Sequence, residues 1–334
     1  MAGMTFTKSS GLNDSVFGNS AEPIRYIMEH SAEAFENQSF LKDVFCMDKT
    51  NKWAEKYTSL TEMDDFEPVG ENGSYVATDF QEGFKKTLIP ESWKKSFSIS
   101  KEMIEDGNLN LAKIRAKKMV TSYHRTRERF GAGLFMAAVS DKDLVVGGKK
   151  FGILGADGKN VFAKDHPSVT RPSLKQSNIF SNAFNEDVLG MLETQMQNVM
   201  DDDGNVLAVA PDTIIIPNDF ALKKAVFQAI GSEKDPDTSN NGYNYQFGRW
   251  NVIIWPYWTL GASEADKPFI LLDSRFNQDN QCAIWLDRLE LAVRGTVDDN
   301  TDAAVYRGRA RWTAGFNNWR AFAVGGVSRG VKLT

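Results

Sequence analysis

The chain has 334 residues, 42% of them hydrophobic and 25% charged, with a formal net charge of −5. That length can bury a substantial core, and the acidic balance excludes binding to nucleic acid through overall positive charge, so any basic patch must be local. Cys46 and Cys282 are too distant for a CxxC motif and too few for a disulfide framework, the first thirty residues lack a signal-peptide pattern, and no apolar run reaches membrane-spanning length; folding in a reducing cytoplasm without a membrane partner is the expectation.

Residues 1–58 mix polar loops with an amphipathic stretch from Ile24 to Phe35 and read as an arm carrying a helix. Residues 59–97 have Gly and Pro punctuation but no helical period, which predicts a long two-stranded excursion. A long helix follows, capped by Asn108 or Asn110 and reaching Val139, with Leu111, Ile114, Met119, Tyr123, Phe130, Leu134 and Phe135 as its apolar side. Asn185 opens a second helix whose stripe is Val188, Leu192, Met196 and Val199, and Asp201 to Gly204 end it as a solvated turn.

Ala210–Ile230 reads APDTIIIPNDFALKKAVFQAI, with Thr213–Ile216 as a buried strand confined by Pro211 and Pro217. Asn218 or Asp219 caps a helix that buries Ala221, Leu222, Ala225, Val226, Ala229 and Ile230, and Gly231 stands at its end. The Pro-Asn-Asp turn lacks the glycines that would let backbone N–H groups approach a phosphate, so this unit is scaffold. Gly231–Gly248 is polar and glycine-bearing and reads as a mobile loop; from Arg249 onward the chain is β-rich and holds six of the eight tryptophans.

The catalytic motifs dissolve on inspection. GVSRG at Gly326–Gly330 fits a nucleophile elbow, but four residues follow it, leaving no room for the helix or the triad partners, and the segment reads as a flexible terminus. His30, His124 and His166 are scattered without metal-ligand spacing; His124 reads as a surface or interface residue and His166 as a turn residue. Asp201–Gly204 lacks the alternation and distal Glu of a calcium loop. No catalytic residue, cofactor or metal site is expected.

Two charge blocks remain. The long helix carries Lys113, Arg115, Lys117, Lys118, Arg125, Arg127 and Arg129 against Glu128 alone, while the preceding excursion carries Glu62, Asp64, Asp65, Glu67, Glu71, Asp79 and Glu82 without a cation before Lys85. Three readings fit: two solvated faces, a helix that meets nucleic acid, or a helix that meets the acidic loop of another copy.

The succession FSISKEMIEDGN (Phe97–Asn108), HPSVTRPSLKQSN (His166–Asn178), DDDGNVLAVAPDTIIIPNDFALKKA, NVIIWPYW (Asn251–Trp258) and RGRARWTAGFNNWRAFAVGG (Arg307–Gly326) resembles the phage major capsid proteins of the Hong Kong 97 fold, most closely the Mu-like major head subunits. The resemblance implies an α+β fold with an N-terminal arm (1–58), an extended loop (59–97), a peripheral domain with a spine helix (98–205 plus about 285–314) and an axial domain (206–284 plus about 315–334). It implies a major capsid protein that assembles with itself, as pentamers and hexamers, into an icosahedral head around double-stranded DNA, in a virion assembled in a bacterial cytoplasm. Because the family often has a long cleaved scaffolding segment and only residues 1–58 precede the loop here, a separate scaffolding protein is expected, together with a portal. Lys85 and Lys86 lie in the loop, yet nothing in the sequence places an Asn and a carboxylate beside either, and no crosslink is expected. The same fold also serves encapsulin-like compartments, and a hydrolase is the third, disfavoured reading.

Overall fold

The computed structural model describes residues 4–6, 18–61, 66, 68–71, 73–75, 77, 81–106, 109–232, 243–258 and 266–333. In chain order these form β1 (Met4–Phe6), α1 (Gly18–Glu36), α2 (Leu41–Val44), β2 (Cys46–Lys49), β3 (Glu55–Leu60), β4 (Glu82–Leu88), β5 (Glu91–Ile99), α3 (Lys101–Glu105) and α4 (Leu109–Val139). Short pairs β6 (Leu144–Val146) with β7 (Lys149–Phe151) and β8 (His166–Pro167) with β9 (Lys175–Gln176) follow. Then come α5 (Glu186–Gln197), β10 (Thr213–Pro217), α6 (Phe220–Ile230), β11 (Asn251–Trp255), β12 (Phe269–Leu272), α7 (Ser274–Asp279), β13 (Ala283–Asp298), β14 (Ala303–Phe316) and β15 (Phe322–Gly325).

Two sheets organise the molecule. One has the order β1-β13-β14-β5, with β2 also paired to β13; β13 and β14 form a long antiparallel hairpin whose register shifts near Asp287 and Leu289. The other has the order β11-β10-β12-β15. β10 is central, and all five of its residues are buried because it is covered on both faces; Pro217, having no N–H to donate, stands at its end. The α+β class expected from the sequence is observed.

Local chemistry sets the helix boundaries. Asn185 accepts from the Val188 N–H at 2.7 Å to open α5, and Asp219 accepts from the Leu222 N–H at 2.9 Å to open α6. α6 buries Leu222, Val226, Ala229 and Ile230, whereas Ala221 is exposed, one position off the buried stripe. α5, expected with the long helix, packs on β15 of the four-stranded sheet.

Several expected loops are firmly held. Asp201 and Asp202 are not a solvated turn: both are buried, Asp201 accepts from the backbone N–H groups of Asp203 and Asn205, and Asp202 pairs with Arg320 at 3.1 Å. The end of the loop expected to be mobile is anchored, since fully buried Asn244 donates to the Ala229 and Ser232 carbonyls and Gln246 donates to Glu193; residues 233–242 of that loop lie outside the described residues. The C-terminal segment is not a flexible tail either. Arg329 donates to the carbonyls of Ala138, Val139 and Phe162, satisfying the end of α4, and the Ser328 N–H donates to Asp266. Gly326 sits at φ 73°, and a Cβ there would lie 2.2 Å from the Lys267 carbonyl oxygen, so this close approach needs glycine.

One continuous core joins the sheets: Phe135 of α4 meets Phe45, Trp255, Phe316 and Phe322 with ring centroids 5.0–6.1 Å apart. A second cluster packs Ile24, Met28 and Ala32 of α1 against Ala112, Ala116, Met119 and Val120 of α4 and the far end of the hairpin sheet.

Candidate assembly surfaces

The acidic excursion begins as an antiparallel ribbon, β3 on β4, in register from Glu55↔Leu88 to Thr58↔Lys85. Its base is fixed by a small cluster of Tyr57, Leu88, Ile284 and Leu286 and by the Tyr57 hydroxyl donating to Asp48 at 2.7 Å. Lys86 donates to the Leu154 carbonyl at 2.7 Å, and burial pulls its ammonium below the ordinary lysine range. Toward the tip, Phe66 and Tyr75 are fully exposed and Glu71 is exposed; Glu82 pairs with Lys85. Glu62, Asp64, Asp65, Glu67 and Asp79 lie outside the described residues.

The basic block divides in two. Lys117, Lys118, Arg125 and Arg129 are exposed; Lys113 is half-buried and Arg115 turns back to donate to the Ser98 carbonyl at 2.8 Å. Arg127 points inward. Its guanidinium grips Asp287 with two bonds of 2.9 and 2.8 Å, donates to the Tyr123 hydroxyl at 2.8 Å and lies 4.8 Å from the Trp285 ring. With side chains only 12% and 8% exposed, the Arg127–Asp287 pair is core, and Arg127 is no surface contact. Glu128, the block's sole carboxylate, accepts from Ser39 and from the Trp255 indole at 3.0 Å; burial raises its carboxyl above the ordinary range.

The expected apolar side of α4 is also corrected. Leu111 and Ile114 are exposed, and the buried line is Ala112, Ala116, Met119 and Val120. Small alanines let α1 approach closely there, which leaves the larger side chains outside, on the stripe shared with Lys118 and Arg125 at helical spacing.

The other candidates are structural. His166, expected in a turn, is buried at the start of the short strand β8: Nδ1 lies 2.6 Å from Asp157, Nε2 lies 3.2 Å from Asn178, and the ring stacks on Trp319 at 4.2 Å. His124 stacks on Phe35 of α1 at 5.3 Å, and burial, with Arg127 adding to it, lowers its imidazole to about 4. Both cysteines are buried thiols, and burial raises Cys46 to about 11. Among the described residues no group of three or more His, Cys, Asp or Glu could hold a metal ion, and no helix is long and apolar enough to cross a membrane.

Sequence reading missed one charged surface. Arg307, Arg309 and Arg311 alternate on β14, and the R-G-R-A-R spelling is the period-two signal that could have found it.

A hairpin sheet crossed by a long helix, a second sheet with helices on it and a projecting acidic ribbon are the parts of a Hong Kong 97-type capsid subunit, a shell-forming structural protein. A phage capsid protein family model matches residues 85–325, well over half of the chain, and the chain belongs to that family. No curated protein sequence matches. Among solved structures, the chain is similar to the capsid of Ralstonia phage GP4 (9% identity, 86% of this chain and 90% of that one, TM-score 0.55). It is also similar to the capsid of a native GTA particle (10%, 88% and 90%, 0.52) and to an encapsulin complex from Synechococcus elongatus (12%, 88% and 90%, 0.52). At these identities the likeness is one of fold.

Proposed function

We propose that this capsid protein is the major head subunit of a tailed phage or prophage, of the Mu-like kind, closing an icosahedral shell of pentamers and hexamers around double-stranded DNA. The family match across residues 85–325 carries the reading. One chain making several quasi-equivalent contacts sums weak interfaces into a stable closed shell. In that reading the hairpin sheet with α4 is the peripheral domain, the four-stranded sheet with α5 and α6 is the axial domain, and the β3–β4 ribbon is the extended loop. A separate scaffolding protein, a portal and assembly in the host cytoplasm complete it.

The acidic tip then meets the exposed basic stripe of a neighbouring copy, Lys117, Lys118, Arg125 and Arg129, with Leu111 and Ile114 beside it as an apolar anchor. Each exposed ion pair contributes about 0–1 kcal/mol, so the contact acts through repetition and weakens with salt. Asp64→Lys with Asp65→Lys should block assembly without unfolding the subunit, and Arg125→Glu with Arg129→Glu should partly restore it. Equal assembly of the reversed loop and the native chain at low and high salt would remove the contact.

The fold likeness to an encapsulin favours a second reading, a compartment around protein cargo. Electron microscopy of the purified, overexpressed chain, followed by analysis of particle contents, decides between them. Closed shells with DNA in the native particle support the head; shells with a protein cargo support the compartment; a persistently monomeric chain sinks both.

A further inference from the structure

The inner face of the hairpin sheet is fixed by packing. Tyr306 and Trp312 are buried, Trp93 stacks on Trp312 at 4.2 Å, Phe97 stacks on Tyr306 at 5.0 Å, and a Cβ on Gly308 would collide with Met119 of α4. Alternation therefore turns Arg307 and Arg309 to the opposite, solvent side; Arg311, on the same face, is half-buried and donates to the Pro90 carbonyl at 3.5 Å. The register sets Arg309 directly beside Lys94 of β5, and Arg307 directly beside Arg294 of β13.

These are like charges in directly opposed cross-strand positions, an arrangement that destabilises a sheet. Nothing local relieves it: Arg307 donates to the Thr296 hydroxyl at 2.5 Å, and among the described residues no carboxylate forms an ion pair with Lys94, Arg294, Arg307, Arg309 or Arg311. In a chain of net charge −5, a cationic row this concentrated needs an external anion.

We propose that this outer sheet face binds the phosphate backbone of duplex DNA and so lies on the inside of the shell. The proposal rests on the reading of the chain as a subunit that encloses DNA. Alternate residues on a strand repeat at about 6.8 Å, twice the roughly 3.4 Å of helix axis that each phosphate of one DNA strand occupies. Arginine forks and the hydroxyls of Ser92, Ser96 and Thr296, which share the face, are phosphate-binding groups. Among the described residues no exposed aromatic lies on the face to stack on an unpaired base, which favours duplex over single strand. The acidic ribbon of another copy fits it less well, because exposed Phe66, Val69 and Tyr75 would find no apolar receptor there.

The test uses the full chain held as unassembled subunits, with a short fluorescent DNA duplex as probe and a peptide of residues 61–81 as the alternative ligand. The native chain should bind the duplex. Arg294→Ser with Arg307→Ser and Arg309→Ser should weaken that binding at least about tenfold and reduce the slope of log affinity against log salt by about 2 to 3. Arginine-to-lysine changes at the same positions should keep most of the slope. No binding by the native chain, equal binding by the serine variant, or binding of the peptide alone would overturn the proposal. As a second measurement, cryo-electron microscopy of filled particles should place this face against the packaged density; finding it on the outer surface would overturn the proposal too. Shell formation is scored separately: a native chain that binds the duplex through these arginines but never closes a shell overturns the head-protein reading and leaves the surface standing.

Discussion

The two halves of α4 show how one continuous helix serves two purposes. From Leu109 to Arg129 it is half-exposed, with cations along its outer stripe and alanines along its inner one. From Phe130 to Val139 nearly every residue is buried, and Gly131 lets Leu41, Phe45 and Trp255 close on the backbone. The difference comes from what covers each half. α1, α3 and the far end of the hairpin sheet pack on the first, whereas both sheets converge on the second. The exposed stripe of the first half can therefore change charge at little cost to folding, and the second half cannot change volume.

The largest break in this comparison should come from the buried half. Phe135→Ala removes a ring that packs against five others, and should cost about 3–5 kcal/mol, read as a fall in the denaturant midpoint or loss of soluble protein. A soluble variant of native stability would show that the two sheets do not share this core.

Arg127→Ala comes next, at the joint between the halves. Stranding Asp287 in the core should cost about 3–5 kcal/mol, although the residue belongs by sequence to the basic block. Replacing the pair together, Arg127→Met with Asp287→Leu, should recover much of that loss. If Arg127→Ala instead leaves stability intact and impairs only assembly, Arg127 belongs to the surface after all.

A smaller effect sharpens the α1 contact. His124 has an ordinary value of 6.5 and is lowered to about 4 in the fold by burial, with Arg127 adding to it. Between these values the unfolded chain holds more protons at this site, so His124 contributes stability above about pH 6.5 that is lost as pH falls toward 4. Glu128, raised by burial, acts in the opposite sense, so the measurement is the difference between native chain and His124→Leu. The variant should lose less stability than the native chain between pH 6.5 and 4. Identical slopes would show that the ring stacked on Phe35 is solvated.

The smallest effect should come from the outer stripe. Lys117→Ala with Lys118→Ala should change folding stability by only about 0.5 kcal/mol per site while weakening assembly at low salt more than at high salt. Unchanged assembly at both salt concentrations would leave these lysines as merely solvated.

The parts readable in sequence are those with short-range causes. Asn185 and Asp219 announce their helices because a cap bond spans three residues, and TIIIP announces a central strand because only a strand covered on both faces tolerates unbroken apolar residues. The R-G-R-A-R alternation is equally local, but it is embedded in the longer phrase that carries the resemblance to capsid proteins. Arg127 could not have been separated from Arg125 and Arg129 in this way. Its partner lies 160 positions on, and no local rule selects the one cation of a block that will meet it.

By itself the sequence determined the order of the main elements, the caps of α5 and α6, the central strand, the opposed charge blocks and the succession of phrases that points to the capsid fold, since each depends on residues near one another in the chain. Tertiary structure alone decided that Leu111 and Ile114 face outward, that Asp201 and Asp202 are buried, that His166 is clamped between Asp157 and Trp319, and that Arg329 closes the end of α4. Burial and charge pairing are properties of the surface that remains after distant segments have packed, and a one-residue rotation of a helix or a partner 190 positions away is enough to reverse either.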